Sequence, residues 1–288
     1  RSSHSQTVVT ALFRKLPKLD YQRERIALSD GDFVDLDWYR VGAPQLAILS
    51  HGLEGSSNSG YMIGMVDQLS RYGWDSLAWN LRGCSGDLNN KPYSYHSGSS
   101  TDLQDVFSHA LFLKRYQRIV LIGFSLGGNI TLKFLGEQGG RLNGLLSSAV
   151  VFSVPCDLAG SAKALTKKRN TLYNRYFMKS LKRKVKLKSK LFPEQVSSKG
   201  LMRIRNIMDF DQAYTAPLNG FKSAEEYWAY SSANSFLPGV AVPTLIVNAS
   251  LDLLVTIARH ALLGTLAISM TLILTLILTL ALTLTHCF

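Results

Sequence analysis

Five residues, Gly123-Phe124-Ser125-Leu126-Gly127, have the types and the spacing for nucleophilic chemistry. The apolar run Arg118–Ile122 precedes them and reads as a buried strand, and Gly128–Leu135 follows and reads as a helix. A serine placed between strand and helix sits on a turn so tight that the positions two before and two after it must lack bulk. Glycine stands at both. The Ser125 hydroxyl would then project above the sheet edge, at the positive end of a helix dipole.

Cleaving an ester or amide with a serine requires a base beside the hydroxyl, an acid to orient the base, and donors for the oxyanion. One donor on such a turn is the main-chain N–H after the nucleophile, here that of Leu126. The second comes from a loop after an earlier strand. His51-Gly52-Leu53-Glu54-Gly55-Ser56-Ser57 follows the strand-like run Leu46–Ser50, so the Leu53 N–H is the candidate. His51 is expected to order that loop by hydrogen bonding rather than to act as the base, because the chain order on this kind of turn is serine, acid, histidine. Asp252 follows the strand-like run Thr244–Val247 and is the sole acid after Glu226, which makes it the candidate acid. Only His260 and His286 lie beyond it. His260 follows too closely for an intervening helix and strand, His286 is two residues from the end, and neither sits among glycines. The base is left unassigned.

Positioning these groups requires a sheet. Residues 24–40 read as a hairpin turning at Asp30-Gly31, with Val34, Leu36 and Trp38 alternating against Asp35 and Asp37. Further strands are expected near Leu46–Ser50, Ser76–Asn80, Arg118–Ile122, Ser148–Phe152 and Thr244–Asn248. Helices are expected near Met62–Arg71, from a capping box at Thr101–Gln104 to about Tyr116, and after Ser125. Strands alternating with helices predict an α/β fold whose mostly parallel sheet is covered on both faces. The interval 155–242 breaks the rhythm and is too long for a crossover, so it is expected to be an inserted helical cap. The expected division is core 1–154, cap 155–242, core again 243–260, and a low-complexity tail 261–288.

The chain has 288 residues and a net charge of +12. Residues 163–205 hold fifteen Lys or Arg against one acid, Glu194, a net of +14 that leaves −2 for the rest. Charge so localised points to an anionic surface or partner. A peripheral contact with anionic membrane through residues 163–205 suits an acyl substrate. Nucleic acid is not expected, because Tyr173, Tyr176 and Phe177 lie upstream of the densest lysines instead of interleaving with them. Cys84, Cys156 and Cys287 are far apart in sequence and form no metal-ligand or disulfide pattern, so neither metal nor cofactor is expected and a reducing, cytoplasmic setting fits. The sequence opens on Arg1, so an upstream portion is expected. The tail repeats Thr-Leu-Ile-Leu, with leucine at every even position from Leu272 to Leu284. It can be read as a membrane span, as a strand, or as sequence foreign to the fold.

Several blocks carry a resemblance: His4-Ser5-Gln6-Thr7, His51–Ser57, Asn80-Leu81-Arg82-Gly83-Cys84-Ser85-Gly86, Tyr95-His96-Ser97-Gly98, Gly123–Asn129, Thr215-Ala216-Pro217-Leu218, and Asn248-Ala249 before Asp252. Together they resemble the YheT-type subfamily of α/β hydrolases, the AB hydrolase 4 family. The resemblance implies an α/β-hydrolase fold and a carboxylic-ester hydrolase without cofactor, acting on short esters or acyl lipids. It implies Ser125 as nucleophile, Asp252 as acid, and Leu53 and Leu126 at the oxyanion hole. It also implies a His-Gly-Gly-His-type segment near the C-terminus, which this chain lacks. The competing expectations are a catalytically impaired homologue without its triad histidine, and a binding protein that docks anionic lipid through the basic cap.

Overall fold

The computed structural model describes residues 16–248 apart from Asn143. Asp252, His260, His286 and the tail therefore lie outside the described residues. A hairpin opens the sheet. Strand β1 (Gln22–Ala27) pairs antiparallel with β2 (Phe33–Tyr39), and Gly31 supplies the φ of 79° that the turn needs. Then follow β3 (Gln45–Ser50), helix α1 (Gly60–Arg71), β4 (Asp75–Asn80), α2 (Ser100–Phe112), β5 (Arg118–Phe124), α3 (Leu126–Gln138), β6 (Leu146–Phe152) and finally β7 (Thr244–Val247). The sheet order is β1-β2-β4-β3-β5-β6-β7. β2 meets β4 antiparallel, and every pair from β4 to β7 is parallel.

Burial explains these choices. β3 and β5 are apolar on both faces because helices cover both. Trp38, Trp79, Phe107 and Phe134 fill one side of the sheet, and Met62, Val66, Trp74 and Phe152 fill the other. Helix α3 is buried along ten consecutive residues from Leu126 to Leu135, so it cannot show a one-sided stripe. The alternation in β2 does not put Asp35 and Asp37 in water. Both are buried and take forked pairs from Arg25 and Arg23 on β1, each with a shortest contact of 2.7 Å.

The capping box expected at Thr101–Gln104 does not form. Helix α2 starts at Ser100 with Ser99 as its cap residue, and the Ser99 hydroxyl accepts from His96 N–H instead of the helix. The helix stops at Phe112, short of Tyr116, because Lys114 turns left-handed at φ 51°. Asp102 does lie in the first turn, but its carboxylate is spent on Arg82.

Between β6 and β7 every regular element is helical, with α4 (Leu158–Leu165), α5 (Thr171–Leu191), short helical turns through 207–218, and α6 (Ala224–Ser231). An apolar cluster of its own runs from Leu158 to Trp228. Ala233 and Leu237 already pack with Leu132 and Val151 of the body, so the return to the sheet begins before residue 242. Helix α5 turns Met178, Leu181, Val185 and Lys188 inward at helical spacing. No helix among the described residues is long and apolar enough to cross a membrane.

Candidate active site

The two glycines of the central turn are dictated by backbone. A Cβ on Gly123 would lie 2.6 Å from Gly128 Cα, and one on Gly127 would lie 2.3 Å from Ser50 O and 2.5 Å from His51 O. No side-chain rotation relieves such contacts. Ser125, between them, adopts φ 50° and ψ −117°. That left-handed backbone is unusual for a serine and costs on the order of 1–3 kcal/mol. It is held by the Ser125 N–H donating to Phe152 O at 2.8 Å. The Ser125 hydroxyl makes no hydrogen bond among the described residues, and it lines a cavity between body and cap.

The loop after β3 presses against this turn. A Cβ on Gly52 would come within 3.2 Å of Ser125 Cβ. Gly52 N–H donates to Tyr61 Oη at 2.9 Å, and the Tyr61 ring packs on Phe124 at 4.8 Å between centroids. The N–H groups of Leu53 and Leu126 donate to no acceptor among the described residues, and both residues line the cavity beside Ser125. Unpaired main-chain donors beside a hydroxyl are what a developing oxyanion needs.

The histidines are committed elsewhere. Main-chain partners settle the His51 tautomer: Nε2 accepts the Leu81 N–H at 3.1 Å, and Nδ1 therefore carries the proton given to Gly52 O at 2.8 Å. Fully buried, it is pushed down to about 4 by desolvation. It orders the loop, as expected of it. His96 lines the cavity, which sequence reasoning did not foresee. Its Nδ1 accepts the Gly98 N–H at 3.1 Å, so in the neutral ring Nε2 bears the proton and can only donate. Burial, aided by Lys133 and Arg82, brings it down to about 4. His109 stands 3.1 Å from Glu24, away from the cavity lining. No described histidine can serve Ser125 as a base.

These buried imidazoles make the protein acid-sensitive. An unfolded histidine titrates near ~6.5, whereas folded His96 stays neutral to about 4. The unfolded chain therefore takes up the extra proton in between. The stabilisation is complete above ~6.5 and is lost as pH falls toward 4. Buried Asp211, pushed up to about 6 by desolvation, acts with the opposite sign, so the contribution must be isolated by a variant. Urea unfolding of wild type minus His96→Gln is expected to fall by ~1.4 kcal/mol per pH unit across that window. A flat difference would show that folded His96 is already charged.

The cavity holds about 1200 Å³ of empty space, counting its open mouth. Leu158, Phe177, Leu181, Val185, Phe210 and Leu218 of the cap make its walls apolar. Trp228 is buried and also faces it. A polar cluster that sequence reasoning missed joins cap to loop. Glu54, at φ 55°, directly follows Leu53. Its N–H donates to Tyr95 Oη at 2.8 Å, and its carboxylate accepts from Tyr95 Oη, from Ser180 Oγ and from Lys184 Nζ. Burial opposes the Glu54 charge, but the Lys184 ammonium and these hydrogen bonds hold its carboxyl below the usual range. Lys184 also reaches the Sγ of half-buried Cys84 at 3.1 Å.

Asn129, one turn into α3, gives its amide protons to Ser97 O and Ser231 O and accepts from Ala233 N–H. It ties the elbow helix to the loop before α2 and to the C-terminal end of the cap. On the sheet side, Asn248 Oδ1 accepts from Val154 N–H at 2.8 Å just past β7, the strand that leads toward Asp252.

Strand, left-handed serine and buried helix on a mostly parallel sheet agree with a family profile described as alpha/beta hydrolase fold, which matches residues 48–265. The chain belongs to the α/β hydrolase family. Within this family it is 35% identical over 263 residues to "Putative esterase YheT" of Escherichia coli (strain K12), covering 86% of this chain and 74% of that protein. It is 29% identical to the mouse (Mus musculus) protein named Phospholipase ABHD3, covering 87% of this chain and 63% of that one. Among solved structures, the Pyrococcus furiosus esterase Pf2001 superposes with a TM-score of 0.52 at 16% identity, over 83% of this chain and 73% of that one, a likeness of fold. The α/β hydrolase expectation read from the sequence blocks therefore holds.

Proposed function

We propose that this α/β hydrolase cleaves carboxylic esters, short-chain or acyl-lipid, through an acyl-enzyme on Ser125. One observation carries the reading. A serine held left-handed at φ 50° opens into an apolar cavity beside two main-chain N–H groups that have no acceptor among the described residues. In the proposed cycle the Ser125 oxygen attacks the carbonyl carbon, its proton passes to a base, and Leu53 and Leu126 receive the oxyanion. Collapse expels the alcohol, and water then hydrolyses the acyl-serine. Asp252, a few residues beyond β7, is the proposed acid. Names carried by the relatives, esterase and phospholipase, support this substrate class. A fluorophosphonate probe tests it. Labelling at Ser125 is expected, and absence of labelling in folded protein would reject the reading.

A specific observation favours a second reading. Every described histidine has its acceptor nitrogen taken or lies away from the cavity, and the His-Gly-Gly-His-type segment that the resemblance predicts does not occur in the sequence. The second reading is a homologue with an assembled elbow and no base. Turnover of p-nitrophenyl acetate no faster than that of Ser125→Ala would favour it.

The Glu54 cluster makes the oxyanion donor depend on the cap. Lys184→Met is expected to lower kcat by ~10-fold or more with a smaller change in KM, because Leu53 loses its fixed neighbour. Lys184→Arg should recover part of the loss. A change confined to KM would show that Lys184 contacts substrate instead.

A further inference from the structure

Helix α5 does two things at once. Its inner face lines the cavity over Ser125 with Phe177, Leu181, Lys184 and Val185. Its outer face is exposed among the described residues. Lys179, Arg183, Lys186 and Lys190 fall on one stripe of that face, and none makes an ion pair among the described residues. The helix contains no acid to neutralise them. The same exposed side carries large apolar side chains: Leu172 and Tyr176, each 66% exposed, toward the N-terminal end of the stripe, and Leu187 within it. A solvated helix face would carry the charges without the aliphatics. A basic stripe flanked by exposed Leu and Tyr matches an anionic bilayer, with headgroups meeting the ammonium groups and the apolar side chains entering the acyl boundary.

We propose that the outer face of α5 docks on anionic phospholipid membrane and so sets the cavity beside a source of acyl esters. The second clause rests on the proposed esterase function, whereas the docking does not. No described carboxylate competes for the outward cations, which leaves them for a partner, and the aliphatics argue for lipid over a nucleic-acid backbone.

The test uses the intact chain and co-sedimentation with vesicles of phosphatidylcholine, alone or mixed with phosphatidylserine. Binding is expected only with phosphatidylserine present, and it should weaken as salt is raised. The combined variant Lys179→Glu, Arg183→Glu, Lys186→Glu, Lys190→Glu is expected to bind those vesicles at least ~100-fold more weakly. Tyr176→Ser with Leu187→Ser should bind several-fold more weakly while keeping its salt dependence. None of these side chains lines the cavity, so turnover of a soluble ester should match wild type in both variants. Equal binding to both vesicle types would overturn the proposal. So would binding to single-stranded RNA that is tighter than to vesicles and indifferent to Tyr176→Ser. Vesicle binding without any ester turnover would uphold the docking and reject the esterase reading.

Discussion

Ser125→Ala is expected to lower ester turnover by at least ~10³-fold while leaving substrate binding and stability nearly unchanged. The reason lies in what the hydroxyl does not do. It holds no partner among the described residues, so its removal orphans no buried group. Tight packing of the turn comes from Gly123 and Gly127, not from the serine side chain. The left-handed backbone persists in alanine, held by the N–H bond to Phe152. Whatever acceleration remains would come from binding and the two donors alone. The check pairs a p-nitrophenyl ester assay with thermal unfolding: KM and Tm close to wild type, kcat collapsed. Undiminished turnover in a folded variant would place the nucleophile elsewhere. A collapse of Tm would mean that the serine is a packing residue.

Arg82→Met is expected to cost about 3–5 kcal/mol, the effect of stranding buried carboxylates. Arg82 is buried and forks onto Asp102 at 2.7 and 2.8 Å, while also reaching Asp30 at 2.6 Å and Asp32 at 2.9 Å. Partial burial opposes the Asp30 charge, yet bonds from Arg82, the Asp32 N–H and Tyr93 hold its carboxyl at about 2. Asp102 is raised by burial despite Arg82. Asp30 is depressed in the folded state, so its stabilisation is complete above the unfolded value near ~3.9 and is lost as pH falls through about 2. Without the guanidinium the carboxylates repel, and Asp30 takes up its proton at higher pH. The stability gap between wild type and variant, read by urea unfolding, is therefore expected to be widest at neutral pH and to narrow toward pH ~4. A gap independent of pH would assign the loss to packing of the arginine stem. The damage should also reach the site, because Leu81, next to Arg82, holds His51 Nε2 and with it the oxyanion loop.

The amino-acid sequence by itself determined the turn at Ser125, the order of strands along the chain and the cap's helical character. These rest on local rules: bulk cannot fit two residues either side of the serine, apolar runs form buried strands, and Asp30-Gly31 reverses a hairpin. The tertiary structure alone decided which distant groups meet. Glu54 meets Lys184 across 130 residues, Asn129 meets Ala233 across 104, and Arg82 meets Asp32 across 50. No periodicity encodes such pairs, because β4 is laid between β2 and β3 only when the whole sheet assembles. His96 shows the same division. Its motif was visible and its tautomer is locked locally by the Gly98 N–H two residues on, but its place on the cavity wall depends on Phe221 and Tyr227 arriving from the cap. Local sterics are written residue by residue, whereas the pairing of buried charges follows from which surfaces folding brings out of water together.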